Sequence, residues 1–240
     1  MVRANLNKDP DDVSKMFDDV AHRYDFLNDL LSLGRTKAWR RVVTSIIAPK
    51  PGMKILDIAA GTGSSSRPLV DKGAEVTALD FSHGMIEQGR KQNKNINFVQ
   101  GNALKLPFED NSFEVTTISF GLRNTSNTDK ALKEALRVTK DGGRIVVAEF
   151  SHPVNPIFKK IYLNYLMKAL PVIAKRVSKS PDAYVYLAES IRAWPDQAAL
   201  ALKLRDIGFK SVAWQDLTFG IVAVHIGYKG EVAKDASAKP

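Results

Sequence analysis

Ten residues, Lys54–Gly63, admit few folds; they read Lys-Ile-Leu-Asp-Ile-Ala-Ala-Gly-Thr-Gly. Ile55, Leu56 and Ile58 form a short apolar run that ends in small residues, the pattern of a parallel strand buried on both faces. Ala59–Gly63 must then turn sharply into a helix, expected from near Ser64 to Gly73. Glycines in such a turn reach dihedrals closed to other residues and let the backbone approach a ligand. The helix beyond opens on unpaired N–H groups at a positive dipole end. A second strand, expected over 75–80, delivers Asp80 seventeen residues after Gly63. A carboxylate there can accept both hydroxyls of a ribose. The turn alone is equally compatible with binding nothing; Asp80 favours a nucleoside site.

Gly61-Thr62-Gly63-Ser64-Ser65-Ser66 lacks the third glycine of the dinucleotide fingerprint. What remains is Asp57 at the strand end, the pair Gly61 and Gly63 around Thr62, and Asp80. That arrangement resembles the S-adenosylmethionine site of class I methyltransferases. In such a site Asp57 offers negative charge to the ammonium or sulfonium of a cofactor that carries no phosphate. Ala59 stands where that motif usually has its first glycine.

The remainder of the chain alternates. Strands are expected over 53–59, 75–80, 96–100, 113–119 and 144–150, with helices over 64–72, 83–92 and 128–140. Alternation at this spacing gives an α/β fold, a doubly wound parallel sheet with ligands at the carboxyl ends of its strands. Asn102, Ala103, Ser119 and the stretch 120–124 fall at such ends. After Pro195 a helix to Gly208 leads to strands over 211–217 and 221–228, joined by Thr218-Phe219-Gly220. The sheet is therefore expected to be seven-stranded and mostly parallel with a C-terminal antiparallel hairpin, Rossmann-like and similar to the class I methyltransferase ending. Before the sheet, Asp9-Pro10 opens a helix with Phe17, Val20, Ala21 and Tyr24 on one face, and Lys37–Ala48 forms a further helix. One domain over 1–240 is expected: a helical cap to 50, a cofactor core over 51–150, a helical insertion over 151–194, a helix and hairpin over 195–229, and a disordered polar tail over 230–240.

Composition removes several chemistries. The absence of Cys excludes disulfides, thiolate metal sites and a Cys nucleophile. The four histidines have no metal-ligand spacing, so no metal is expected. No run approaches the roughly 18 apolar residues of a membrane span, and no secretory leader is read. A cytoplasmic protein, free or attached to the inner face of the cell membrane, follows as the expectation. A net charge of +9 suits nucleic acid or an anionic membrane, and decides neither. It is concentrated in the insertion: between Ser151 and Pro181 stand Lys159, Lys160, Lys168, Lys175, Arg176 and Lys179, with no acid. Phe158, Ile161, Tyr162, Tyr165, Leu166 and Ala169 recur there at helical spacing, as in a membrane-interface helix, a lid over an apolar substrate, or a core helix with a solvated face.

Several stretches carry a closer resemblance. Tyr24-Asp-Phe-Leu-Asn28, Ser32 and Trp39 are similar to the N-terminal signature of the menaquinone and ubiquinone biosynthesis C-methyltransferases. Arg137-Val-Thr-Lys140, Gly142-Gly143 and Glu149-Phe-Ser151 resemble its second signature, and Phe120-Gly-Leu-Arg-Asn124 its motif after the fourth strand. Tyr184 to Arg192 and Thr218 to Gly227 match its C-terminal half. Leu27, Thr36 and Asp141 depart from the family's Met, His and Pro. The resemblance spans about 12–229 and implies methyl transfer from S-adenosylmethionine to a ring carbon of a polyprenylated quinol, demethylmenaquinol or its benzoquinol counterpart. It implies that Asp57, Gly61, Thr62, Gly63, Asp80, Asn102, Ala103 and Ser119 hold the cofactor. Arg123, Asn124 and Tyr24 would then work on the substrate, with Glu149 or His152 as secondary proton acceptors. A membrane surface is the implied partner, no nucleic acid is expected, and a homodimer is left open. An RNA methyltransferase and a binding module without turnover are the competing readings. The first is disfavoured by Ser119-Phe-Gly-Leu-Arg-Asn124, where an Asp/Asn-Pro-Pro-Tyr/Phe motif would stand.

Overall fold

The computed structural model of the chain describes residues 34–169, 172 and 181–231. One seven-stranded sheet lies at its centre, in the order β3-β2-β1-β4-β5-β7-β6. Its strands are β1 (Lys54–Ile58), β2 (Glu75–Asp80), β3 (Asn97–Gln100), β4 (Phe113–Ser119), β5 (Thr139–Phe150), β6 (Lys210–Leu217) and β7 (Val222–Tyr228). The first five pair in parallel, and β7 runs antiparallel between β5 and β6. The chain leaves β1 towards β2 and later returns to β4 on its other side, so the loops after β1 and β4 diverge there. Such a divergence is the switch point at which open α/β sheets bind ligands.

Seven α-helices are described: α1 (Thr36–Ile47), α2 (Arg67–Val70), α3 (His83–Gln92), α4 (Thr128–Val138), α5 (Pro156–Asn164), α6 (Pro181–Ala193) and α7 (Gln197–Ile207). Alternate residues of a strand face opposite layers. Leu56 and Ile58 accordingly pack with Leu132, Ala135 and Leu204 of α4 and α7, whereas Ile55 packs with Trp39, Val43 and Leu69 of α1 and α2. Asp57 shares the α1/α2 face. The helix starts follow side-chain caps: Ser82, Asn127, Asn155 and Asp196 each accept a first-turn backbone N–H.

The structure differs from the sequence expectation at three places. The helix after the glycine turn does not begin near Ser64; α2 has four residues, because Pro68 is tolerated only in a first turn and fixes the start beside it. Helix α4 stops at Val138, where Thr139 turns extended and its hydroxyl donates to the Ala135 carbonyl, and β5 begins there rather than at 144. The insertion is not one helix with one apolar face. After α5 the backbone loosens into a π-helical turn over Tyr165–Ala169; Tyr162 and Leu166 are buried while Ile161 stays exposed. The helices expected before α1, and most of the expected tail, lie outside the described residues.

Candidate active site

The sequence-predicted cofactor residues lie at the carboxyl ends of β1, β2, β3 and β4. Asp57 is fully buried; its Oδ2 accepts from Ser66 Oγ at 2.6 Å, and among the described residues Oδ1 has no partner. Burial pushes this carboxyl up to about 7, against the Ser66 hydrogen bond and with help from the nearby Asp80 charge. Asp80 pins the glycine turn: its Oδ2 accepts the Gly61 N–H at 2.7 Å and its Oδ1 the Ser82 N–H at 2.9 Å. Ala59, Gly61 and Gly63 all have positive φ, of 56°, 58° and 81°. The two glycines differ in use. A Cβ on Gly63 would come 2.8 Å from the Phe98 ring, whereas a Cβ on Gly61 would meet nothing within 4 Å. Gly63 is needed for packing, and Gly61 lines open space.

Thr62 is buried, with its hydroxyl 3.0 Å from Ser64 Oγ and its carbonyl accepting from Asn93 Nδ2. Asn102 folds its own loop, accepting the Leu104 N–H at 2.8 Å, and Ala103 packs beneath it on the core. Ser119 ends β4. Thr117 lies beside Asp57 in register, and Ser119 follows on the same face. Among the described residues the Oγ atoms of Thr117 and Ser119, like Asp57 Oδ1, are buried without a hydrogen-bond partner. Unmet polar capacity in a row at a switch point, beside a glycine that lines open space, fits a ligand carrying an ammonium and hydroxyls.

Four residues beyond Ser119, Arg123 sits in a 3-10 turn over Leu122–Asn124. It is buried, not a surface arginine. Its Nη1 donates to Glu149 Oε1 at 2.6 Å and to the Phe120 carbonyl at 2.7 Å, and the guanidinium lies 5.0 Å over the Phe150 ring. Glu149 also accepts the Arg123 N–H at 3.2 Å and the Phe150 N–H at 2.8 Å. Two of these three donors belong to Arg123, so Glu149 fixes the orientation of Arg123. Arg123 Nε is buried without a partner among the described residues. Asn124 Oδ1 accepts from the Tyr186 hydroxyl at 3.2 Å, so its amide keeps two donors to offer. His152 donates from Nε2 to the Trp194 carbonyl at 2.8 Å, since a carbonyl only accepts.

The insertion closes over this arginine. Burial pushes the Tyr162 and Tyr186 phenols up, while the Arg123 charge opposes the shift in both. Tyr162, Leu166, Tyr184 and Ile191 form an apolar cluster that meets Phe150. Phe150 stands 5.2 Å from Phe120 and 6.3 Å from Trp39, centroid to centroid, and Trp39 Nε1 donates to Thr218 Oγ1 at 2.9 Å. Tyr24 lies outside the described residues. Sequence reasoning missed Ser66, Thr117 and Tyr186. A carboxylate inside an apolar strand signals that a buried donor must exist, and Ser66 supplies it; Tyr186 falls inside the 184–192 stretch, but nothing in the sequence pairs it with Asn124.

Comparison with known proteins covers nearly the whole chain. Residues 4–229 match the model of the ubiE/COQ5 methyltransferase family. A demethylmenaquinone methyltransferase of Paenarthrobacter aurescens is 55% identical over 98% of this chain and 93% of its own length. One from Streptomyces avermitilis is 55% identical over 95% of this chain and 99% of its own. Among solved structures, a methyltransferase from Thermotoga maritima superposes with a TM-score of 0.66 at 19% identity, covering 90% of this chain and 99% of that one. The last likeness concerns the fold alone.

Proposed function

Because the chain belongs to the ubiE/COQ5 methyltransferase family, we propose that it methylates a ring carbon of demethylmenaquinol with S-adenosylmethionine, giving menaquinol. The observation that carries this reading is 55% identity over 98% of the chain to a demethylmenaquinone methyltransferase. The same name on the Streptomyces relative favours the naphthoquinol over the benzoquinol of ubiquinone synthesis.

S-adenosylmethionine supplies a methyl group made electrophilic by its sulfonium. Asp80 accepts the ribose hydroxyls; its oxygens already serve Gly61 and Ser82, but a carboxylate oxygen has a second lone pair, so the hydroxyls add to those bonds. Asn102 and Ala103 border the adenine. Gly61, Thr62, Gly63 and Ser119 surround the amino-acid end, with Asp57 as counter-charge to its ammonium. Arg123 and Asn124 hold the quinol oxygen whose lost proton makes the ring nucleophilic. Arginine stays protonated in proteins, so it stabilises phenolate charge and polarises the water that carries the proton away. Glu149 offsets part of its charge, so Arg123 acts through directed N–H donors. Alignment of ring carbon and methyl, with water excluded by the insertion, supplies the remaining acceleration.

Tyr162 and Leu166 give the prenyl tail an apolar lining beside Phe150. A substrate with such a tail resides in lipid, which favours a peripheral position of the enzyme at the membrane, on its cytoplasmic face in this reading. Among the described residues no helix is long and apolar enough to cross one. Expression in a bacterium deleted for its own demethylmenaquinone methyltransferase tests the reading. Lipid extracts should regain menaquinone at the expense of demethylmenaquinone; extracts that keep only the demethylated quinone, with the protein present, contradict it.

A further inference from the structure

The sequence leaves Phe219 in a hairpin turn and Ile157 and Ile161 in a helix, sixty residues apart. The structure brings them together. Phe219, Ile157, Ile161 and Val154 are 76%, 73%, 60% and 68% exposed, an unusual concentration of large apolar side chains in water. Phe219 packs on the segment that carries the other three. The Phe219 and Phe158 rings meet edge to face at 5.7 Å, and the Val154 N–H donates to the Phe219 carbonyl at 3.4 Å.

Phe219 is held out at a conformational cost. Thr218, Phe219 and Gly220 have successive φ values of 50°, 58° and 88°, and a left-handed β-branched residue is an outlier in ordinary turns. The Trp39 indole grips the Thr218 hydroxyl, and the Ile221 N–H returns to the Thr218 carbonyl. Strain of this kind persists where the surroundings over-determine it, and it concentrates at functional positions.

The rest of the face identifies the partner. On α5 the residues Pro156, Ile157, Lys160, Ile161 and Asn164 are exposed on one side, and Lys168 is exposed in the next turn. No Asp or Glu occurs from Ser151 to Ser180, where the sequence holds six basic residues. A second copy docking on this face about a twofold axis would set the same cations against each other. An anionic bilayer matches both the apolar stripe and the lysines flanking it. The patch also stands at the functional edge of the sheet: Val222 pairs with both Leu217 and Phe150, which puts the Phe219 turn beside the end of β5 that carries Glu149.

We infer that Val154, Ile157, Ile161 and Phe219 form one lipid-inserting patch, with Lys160 and Lys168 reading anionic headgroups, that seats the substrate edge of the sheet on the bilayer. This rests on the quinol reading only for its purpose; the surface itself is tested without any quinol. Co-sedimentation is measured with vesicles of phosphatidylcholine, with and without phosphatidylglycerol, at low and high salt. Wild type should bind the anionic vesicles, more weakly in high salt. The triple variant Ile157→Gln, Ile161→Gln, Phe219→Asn, in which Asn tolerates the left-handed corner, should lose about tenfold or more in partition coefficient. Lys160→Glu with Lys168→Glu should lose the salt-sensitive part. All variants should methylate a detergent-soluble short-chain quinol at the wild-type rate, which separates a docking defect from a misfolded site. Wild-type partitioning by the triple variant overturns the inference. So does a wild type that ignores both vesicles, or that forms a dimer which the triple variant dissolves. A wild type that docks but methylates no quinol would instead contradict the proposed activity alone.

Discussion

Two buried ionisable groups stand in the proposed site, Arg123 and Asp57, and they behave oppositely. Arg123 is matched by Glu149 at 2.6 Å with both side chains almost fully buried. Removing one partner of such a pair leaves an uncompensated charge, worth about 3–5 kcal/mol of stability. Arg123→Ala is therefore expected to lower turnover by about 10²–10³ and to destabilise the fold. Adding Glu149→Gln should restore much of the melting temperature but none of the turnover, with cofactor affinity near normal in both. Turnover that returns with stability would make Arg123 structural. Arg123→Lys should recover only part of the rate, since an ammonium cannot copy the planar fork. Asp57 lacks such a partner, and burial holds its carboxyl near 7. In the folded protein it thus binds a proton more tightly than in the unfolded chain. Its contribution to stability is whole below the unfolded value of 3.8 and is lost as pH rises through about 7. A cationic ligand beside it favours the carboxylate, so cofactor binding near pH 6 should release up to about one proton, and none once the group is already ionised at higher pH. Calorimetry in buffers of different ionisation enthalpy reads this release directly; Asp57→Asn should abolish it, and identical heats in all buffers for the wild type would contradict it.

Among elements, the glycine turn and the loop after β4 are fitted to each other. Ala59 is left-handed at φ 56°, and a Cβ on Gly121 would lie only 2.5 Å from the Ala59 Cβ. Gly121→Ala should consequently cost about 1–3 kcal/mol through overpacking. Ala59→Gly should be neutral or stabilising by up to about 1 kcal/mol, because it relieves a left-handed alanine while loosening the unfolded chain. The double variant should recover most of the Gly121→Ala loss, as measured by denaturant unfolding; strictly additive losses would show that the two loops do not touch. The position of Ala59 was legible in the sequence as a departure from a glycine, but its consequence was not, because the clash lies between two loops. The misjudged helix after Gly63 has a local cause. The glycine turn was expected to open directly into a helix near Ser64, whereas Pro68 sets the start beside it and leaves a helix of four residues. In the insertion, periodicity grouped Ile161 with Tyr162. The π-helical turn and the contact with α6 then buried one and exposed the other.

For the molecule as a whole, strand–helix alternation repeated along the chain made the seven strands and the doubly wound sheet legible from spacing and punctuation, whereas their order across the sheet came from the structure. Asp57, Asp80 and the glycines could be placed at one edge from the sequence because one strand-turn-helix-strand unit contains them. The Arg123–Glu149 pair, the Tyr186 hydroxyl on Asn124 and the Phe219 patch join segments far apart in sequence, and only the closed fold brings them together. The resulting molecule keeps its polar ligand groups, its buried arginine and its exposed apolar patch along one edge. That arrangement suits an enzyme which takes one substrate from water and the other from lipid. The most direct measurement supplies purified protein with methyl-labelled S-adenosylmethionine and either demethylmenaquinol or the demethylated benzoquinol, in detergent, and identifies the lipid product by mass. Label is expected in menaquinol, with the benzoquinol a poor acceptor and Arg123→Ala reduced on both. Label confined to the benzoquinol, or absent from either quinol while the cofactor binds, would contradict the account.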